Sequence, residues 1–158
     1  MTTKKRILFL CTGNAARSQM AEGLARAFHG EVIDVVSAGS RPAGWVHPLA
    51  VQALAEIGID ASGHTSKSAD EFLNADFDVV VTVCGHANET CPAWLNDKAR
   101  VVHVGFDDPP ALARDARTEE ESLRPFRRVR DEIRAFVETL PDAFSADVLK
   151  KKKDFDHE

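Results

Sequence analysis

The sequence predicts a single α/β domain built on a parallel β-sheet, and three observations support this. Short apolar segments, such as RILFLC at 6–11 and FDVVVTV at 77–83, are typical of strands buried on both faces. Segments with helical periodicity alternate with these strands, which favours parallel pairing through right-handed crossovers. With 158 residues, 44% of them apolar, the chain is long enough to bury one sizeable core.

The individual elements are predicted from periodicity and from helix stop signals. Strands are expected at residues 6–11, 31–37, 77–83 and 100–104. Helices are expected at 18–30, 48–57 and within 119–139. In the first helix, Met20, Leu24 and Phe28 recur on one face, and Gly30 is a typical stop.

The last helix carries the clearest start signal. Thr118 and Glu121 have the spacing of a capping box. Pro125 either kinks this helix or marks its first turn. The side of the helix that faces the core is predicted to contain Val129, Ile133, Phe136, Val137 and Leu140.

Composition limits the classes of function. We expect one catalytic domain over residues 1–142 and a disordered charged tail over 143–158. A formal net charge of -5 argues against a nucleic-acid-binding protein. No apolar segment has membrane-spanning length, and an odd number of cysteines without an export signal favours a reducing, cytoplasmic compartment. A monomer is expected.

The segment Cys11-Thr12-Gly13-Asn14-Ala15-Ala16-Arg17-Ser18 follows a strand and opens a helix. The spacing of Cys11 and Arg17 predicts a loop whose backbone amides, guanidinium and sulfur converge on one point, which suits a tetrahedral oxyanion. Gly13 is expected to supply the positive φ of this tight ring. The Ser18 hydroxyl can donate to the sulfur. Arg17 and the amides should lower the pKa of Cys11, so that the thiol is largely ionised at neutral pH.

Other reactive side chains follow neighbouring strands. Cys84 comes directly after the third predicted strand, and Asp107 and Asp108 follow the fourth. Because ligands bind at the carboxyl ends of parallel strands, we expect these side chains to approach Cys11.

These segments resemble a known family. The stretch CTGNAARSQMAEG at 11–23 resembles the active-site loop shared by low-molecular-weight protein tyrosine phosphatases and thioredoxin-coupled arsenate reductases. Further segments resemble the reductase branch: VSAG at 36–39, Cys84-x6-Cys91-Pro92, GFDDP at 105–109 and FRRVRDEI at 126–133. The resemblance implies a four-stranded parallel sheet flanked by helices, arsenate as the substrate and thioredoxin as the reductant.

The same resemblance implies a role for each reactive residue. Cys11 is the nucleophile, Arg17 clamps the anion and Asp108 is the general acid, with Asp107 as the second candidate for that role. Cys84 and then Cys91 are the resolving thiols of a disulfide relay. Residues 12–18 bind the substrate, and no cofactor or resident metal is implied. We expect the segment from Cys84 to Cys91 to unwind partly when their disulfide forms.

One departure concerns a potassium site that some relatives carry beside the loop. The matching residues here are Asn14, Glu22 and Ser37, whereas the position of a further acid matches Lys67. The lysine ammonium is predicted to take the place of the cation and to pair with Glu22.

Three alternatives stay open at this stage. A phosphatase on the same scaffold would need neither Cys84 nor Cys91, although phosphatases of this family usually carry aromatic residues after the Asp-Pro pair and this chain contains no tyrosine. A zinc site made of Cys84, His86, Cys91 and His103 has weak support from spacing. The reductant could also be a glutaredoxin or a mycothiol system.

Overall fold

A computed structural model describes residues 4–85 and 99–140, and there the chain forms a four-stranded parallel sheet. The strands are β1 (Lys5–Cys11), β2 (Ile33–Gly39), β3 (Val79–Thr82) and β4 (Arg100–His103), in the order β2-β1-β3-β4. In the central strand, Leu10 aligns with Ala38 of β2 and with Thr82 of β3. The predicted sheet is confirmed, and β2 begins two residues later than expected because a turn follows the first helix.

Strand β1 lies at the centre of the core. Ile7, Leu8, Phe9 and Leu10 have no exposed surface. Successive side chains of a strand point to opposite faces, so both faces of the sheet are covered at β1. This is the reason for the continuous apolar sequence of this strand.

The helices match the prediction in position, with two short additions. They are α1 (Arg17–His29), α2 (Pro48–Ala55), α3 (Pro109–Leu112) and α4 (Glu119–Val137), together with a 3-10 helix at Ala69–Phe72. The single turns of α3 and the 3-10 helix are too short to produce helical periodicity in the sequence. Among the described residues, no helix is both long and apolar enough to cross a membrane.

Helix α4 begins at the predicted cap. The Thr118 hydroxyl accepts the Glu121 amide at 3.1 Å. The Glu121 carboxylate accepts the Arg117 amide, one residue before the one that a capping box requires. Pro125 lies inside the helix without ending it. The five residues predicted to face the core are all buried.

Phe28 is the exception among the predicted core residues of α1. Met20 and Leu24 are fully buried, whereas Phe28 is 42% exposed. The Arg134 guanidinium lies 5.3 Å from the centroid of its ring. A cation over the ring face therefore partly covers Phe28 in place of the core.

The strand order places a switch point between β1 and β3. The chain leaves β1 towards β2 on one side, and β3 lies on the other side. In open sheets of this kind, ligands bind outside the carboxyl ends of the two strands at the switch point. Here β1 ends at Cys11, and Cys84 follows the end of β3 by two residues. The expected unwinding of the segment after Cys84, Cys91 itself and the 143–158 tail lie outside the described residues.

Candidate active site

The loop after β1 directs its carbonyl groups away from the site. The carbonyls of Cys11, Thr12, Gly13 and Ala15 accept amides of the segment from Ser40 to His47, at 2.8 to 3.1 Å. The Asn14 carbonyl accepts the Gln19 side-chain amide at 2.9 Å. With the carbonyls satisfied on the outside, the amides of the ring are directed inward, as an anion site requires.

The positive φ of this loop occurs at Asn14 and not at Gly13, so that part of the prediction is wrong. Asn14 has a φ of 49°. Its side chain is fully buried, and Nδ2 donates to Ser18 Oγ at 2.8 Å and to Ser37 Oγ at 2.9 Å. Its Oδ1 accepts the Lys67 amide at 2.8 Å. Asparagine tolerates the left-handed region, and these bonds hold it there.

The N-terminus of α1 faces the loop. Its N-cap, Ala16, makes no side-chain capping bond, and the first turn contains no acidic residue. The amides of that turn and the helix dipole are therefore available to an anion. A cavity of about 210 Å³ lies here. It is lined by Cys11, Thr12, Gly13, Ala15, Ala16, Arg17, Asp108 and Pro110.

Most of the predicted substrate-binding residues therefore meet at one cavity. Asn14 and Ser18 are the exceptions, because they are fully buried and bind each other beside the loop. The Ser18 hydroxyl accepts Asn14 Nδ2 there, and its donation to the Cys11 sulfur stays a prediction.

Arg17 and Asp108 face each other across this cavity. Arg17 Nη2 lies 3.6 Å from Asp108 Oδ1, and its Nη1 donates to the Phe106 carbonyl at 3.0 Å. The bond to Phe106 fixes the guanidinium and leaves its Nε–Nη2 edge to hold two oxygens of an anion. Asp107 is turned away, towards Arg128 on α4, at 3.0 Å.

The second cysteine lies beside the first. Cys11 and Cys84 are both buried, at 4% exposure each, and their thiols interact through a side-chain hydrogen bond. The Thr12 hydroxyl lies 3.3 Å from the Cys84 sulfur. Two sulfurs from distant parts of the chain therefore lie close together beside the anion loop.

This contact reverses the expected shift of the Cys11 pKa. The hydrogen bond to Cys84 and burial raise the pKa of the Cys11 thiol, whereas Arg17 and the Thr12 amide lower it. The net direction is upward, because the hydrogen bond to Cys84 and burial favour the neutral thiol more than Arg17 and the Thr12 amide favour the thiolate. Cys11 was expected to be largely ionised because that prediction took account of the loop residues but not of Cys84.

A buried polar network supports the loop from behind, and little of it was predictable from sequence patterns. Gln19 has no exposed surface, and its side-chain amide also donates to the Thr65 carbonyl at 2.9 Å. Gln19 Oε1 lies 3.1 Å from His64 Nδ1, which is also 3.4 Å from Glu22. The pKa of His64 lies below its usual value, and burial is the largest cause of this shift. A neutral imidazole therefore donates from Nδ1 at neutral pH.

The matching residues of the potassium site surround Glu22. Ser37 Oγ donates to Glu22 Oε1 at 3.0 Å. Lys67 Nζ lies 3.8 Å from the same oxygen, and Arg26 Nη1 lies 3.4 Å from Glu22 Oε2. Two side-chain cations already face this carboxylate, so these residues do not suit a bound potassium ion.

The zinc alternative has no support among the residues the structure describes. Within 4–85 and 99–140, no group of three or more His, Cys, Asp or Glu side chains could hold a metal ion. His103 Nδ1 lies 2.9 Å from the Thr82 hydroxyl. His86 and Cys91, two of the four proposed ligands, lie outside the described residues.

With this geometry established, comparison with known proteins defines the class. The sequence profile of the family "Low molecular weight phosphotyrosine protein phosphatase" matches residues 6–154. The chain therefore belongs to the low molecular weight phosphotyrosine protein phosphatase family.

Within this family, the relatives that the chain resembles carry a more specific name, arsenate reductase. An "Arsenate reductase" of Halalkalibacterium halodurans is 51% identical over 139 residues, which cover 88% of this chain and 96% of the relative. A solved structure, "An arsenate reductase in the phosphate binding state", matches with a TM-score of 0.70 and 34% identity over 89% of this chain and 99% of that one. The "thioredoxin-dependent arsenate reductase" of Corynebacterium glutamicum matches with a TM-score of 0.64 and 28% identity over 90% of this chain and 62% of that one.

Proposed function

We propose that this protein is an arsenate reductase that uses Cys11, Cys84 and Cys91 as a thiol–disulfide relay and thioredoxin as its reductant. The observation that carries the proposal is the interaction between the Cys11 and Cys84 thiols beside the anion loop. A phosphatase needs one thiol in this position. A second buried thiol against the first is what a two-electron reduction requires.

The first step is capture of the oxyanion. The inward amides, the α1 N-terminus and the Nε–Nη2 edge of Arg17 hold an arsenate in the 210 Å³ cavity. The Cys11 thiol, whose pKa is raised in the unliganded protein, passes its proton to an arsenate oxygen and attacks arsenic as the thiolate. A sulfur–arsenic bond forms, and one oxygen leaves as water. Asp108, which lines the same cavity and lies 3.6 Å from Arg17, protonates that oxygen.

The second step is the reduction. The Cys84 thiolate attacks the Cys11 sulfur, and the sulfur–arsenic electron pair stays on arsenic. Arsenic(V) becomes arsenic(III), arsenite leaves, and the two thiols are oxidised to a Cys11–Cys84 disulfide. Thr12 Oγ1, at 3.3 Å, can donate to the Cys84 thiolate and hold it in place for this attack.

The last steps regenerate the enzyme. The Cys91 thiolate attacks the Cys84 sulfur, which releases Cys11 as a thiolate and leaves a Cys84–Cys91 disulfide. The dithiol of thioredoxin then reduces this disulfide. The name of the Corynebacterium glutamicum relative supports thioredoxin as the reductant, and the Cys84-x6-Cys91 spacing supports the second exchange.

The test is arsenate-dependent NADPH oxidation in the presence of thioredoxin and thioredoxin reductase. Wild type should turn over repeatedly. Cys91→Ser should release about one arsenite per enzyme and stop, because its Cys11–Cys84 disulfide has no internal thiol to exchange with. Cys84→Ser should release none. Multiple turnover by Cys84→Ser would exclude the relay.

A phosphatase is the second candidate, and the family profile favours it. Hydrolysis of an aryl phosphate needs Cys11, Arg17 and Asp108 but neither resolving thiol. Equal hydrolysis by wild type and Cys84→Ser, together with no arsenite formation by wild type, would make the protein a phosphatase.

A further inference from the structure

Two consecutive aspartates follow β4, and they face in opposite directions. Asp108 lines the anion cavity, 3.6 Å from Arg17. Asp107 Oδ2 accepts Arg128 Nη2 of α4 at 3.0 Å. Asp108 has an extended backbone, with φ -87° and ψ 106°. Successive side chains of an extended chain point to opposite sides, so a contact that holds Asp107 outward aims Asp108 inward.

The partner of Asp107 is itself held in place. Arg128 Nη1 donates to Glu132, one turn further along α4, at 2.9 Å. Phe126 and Val129, which flank Arg128 in sequence, have no exposed surface. The guanidinium therefore extends from a helix that is packed firmly into the core.

The backbone on either side of Asp107 is anchored as well. The Phe106 amide donates to the Val83 carbonyl at 3.1 Å, and the Phe106 carbonyl accepts Arg17 Nη1 at 3.0 Å. On the other side, Pro109 restricts Asp108 to extended conformations. The Asp108 side chain is 47% exposed, and Arg17 is its one ion-pair partner among the described residues. Its direction therefore depends on the backbone that Asp107 fixes.

We propose that Arg128 is a positioning residue, which aims the Asp108 carboxyl at the anion site by holding Asp107 away from it. The inference rests on the proposed function, in which Asp108 protonates the departing oxygen. Without Arg128, the Asp107 side chain is released and the extended segment turns more freely. Arsenate binding depends on the loop and Arg17 and stays intact, whereas protonation of the leaving oxygen slows.

The experiment compares single-turnover arsenite formation by wild type, Arg128→Ala, Arg128→Lys and Arg134→Ala. Arg128→Ala should lower the maximal rate about three- to fivefold, the range that one exposed ion pair can produce. The arsenate concentration for half-maximal rate should stay unchanged. Arg128→Lys should recover part of the loss. Arg134→Ala is the matched control, since this arginine of the same helix pairs with Glu138, and it should behave as wild type.

A double-mutant cycle shows whether the effect passes through Asp108. In an Asp108→Asn background, Arg128→Ala should cause no further loss. An equal loss in both backgrounds, or an Arg128→Ala rate equal to that of Arg134→Ala, overturns the proposal. If wild type and Arg134→Ala form no arsenite, the proposed function fails instead. The same cycle on aryl phosphate hydrolysis then decides the role of Arg128.

Discussion

At the residue scale, the contact between Cys11 and Cys84 determines the acidity of the nucleophile. The hydrogen bond to Cys84 is the largest cause that raises the Cys11 pKa. Cys84→Ala removes it and leaves Arg17 and the Thr12 amide to stabilise the thiolate against burial. We expect the Cys11 pKa to fall in this variant, so that its thiolate persists to lower pH than in wild type.

Ultraviolet absorbance of the thiolate against pH measures this pKa. Cys91→Ala is a matched control that keeps the Cys11–Cys84 pair, and its Cys11 should titrate with the same pKa as in the wild type. A Cys11 pKa that rises or stays constant in Cys84→Ala would contradict the assigned cause.

The residues of the loop show what sequence reasoning can and cannot reach. Cys11, Arg17 and Asp108 were predicted to converge, because residues at the ends of parallel strands share one edge of the sheet. The choice of Asn14 over Gly13 for the positive φ was missed. It depends on Ser18, Ser37 and the Lys67 amide, which only the folded chain brings to the Asn14 side chain.

Substitutions at Asn14 and at Gly13 should therefore change the free energy of unfolding by different amounts. Asn14→Ala leaves buried partners unsatisfied at a strained φ, and we expect a loss of about 2–4 kcal/mol in the free energy of unfolding. Gly13→Ala places a Cβ 3.9 Å from Ala43 Cβ, an ordinary contact, and should change stability by less than about 1 kcal/mol. Urea denaturation measures both. A larger loss for Gly13→Ala would mean that Gly13 carries the strain.

At the element scale, α2 and α4 are joined by ion pairs between two arginines and Glu56. Arg130 is 8% exposed, and its Nη1 donates to Glu56 and to the Ala53 carbonyl, both at 2.9 Å. Arg127 binds the same carboxylate. Apolar periodicity located α4 correctly because the pattern lies within the helix. It could not reveal that the end of α2 supplies an acceptor to the arginine face.

This junction should be sensitive to one arginine in particular. Arg130→Ala leaves the buried Ala53 carbonyl without this donor and removes one of the two arginines that bind Glu56. We expect a loss of about 2 kcal/mol in the free energy of unfolding. Arg134→Ala removes an exposed i,i+4 pair and the cation over the Phe28 ring, and should lose less than about 1 kcal/mol. Equal losses, measured by urea denaturation, would show that the buried pairing contributes no more than a surface one.

The junction also predicts a pH dependence. Arg127 first, and then Arg130, hold the pKa of Glu56 below its usual value of 4.5. A carboxyl whose folded pKa is depressed contributes stability above its unfolded pKa and loses that contribution as the pH falls towards the folded pKa. The difference in stability between wild type and Glu56→Gln should therefore be constant near neutral pH and shrink below about pH 4.5. A difference that stays constant through that range would contradict the assignment.

At the scale of the whole molecule, one polar network connects the loop to α1, β2 and the segment before the 3-10 helix. Asn14, Glu22, Ser37 and Lys67 come from four separate parts of the chain and meet behind the site. A single-residue bridge between Gly39 and Ser68 holds the last of these parts against β2. The parallel sheet was predictable from the alternation of strands and helices. The network was not, because it depends on how the loops pack after the sheet has formed.

The charge balance of this network predicts how the whole protein responds to potassium. Glu22 already faces Lys67 and Arg26, at 3.8 and 3.4 Å. A potassium ion at this position would meet their repulsion and find the carboxylate neutralised. The melting temperature should therefore be the same in potassium chloride and sodium chloride of equal ionic strength, where screening is identical.

Removing the ammonium group should create a response to potassium. Lys67→Ala leaves the Glu22 carboxylate and the Thr65 carbonyl, which both contact the ammonium group, facing the vacated space. Oxygens of this kind suit a hard cation. We expect this variant to melt at a lower temperature than wild type and to regain part of the difference in potassium but not in sodium. Lys5→Ala, at an exposed strand position, is the control and should show neither effect. A potassium-specific rise in the melting temperature of wild type would show that Lys67 does not occupy the cation position.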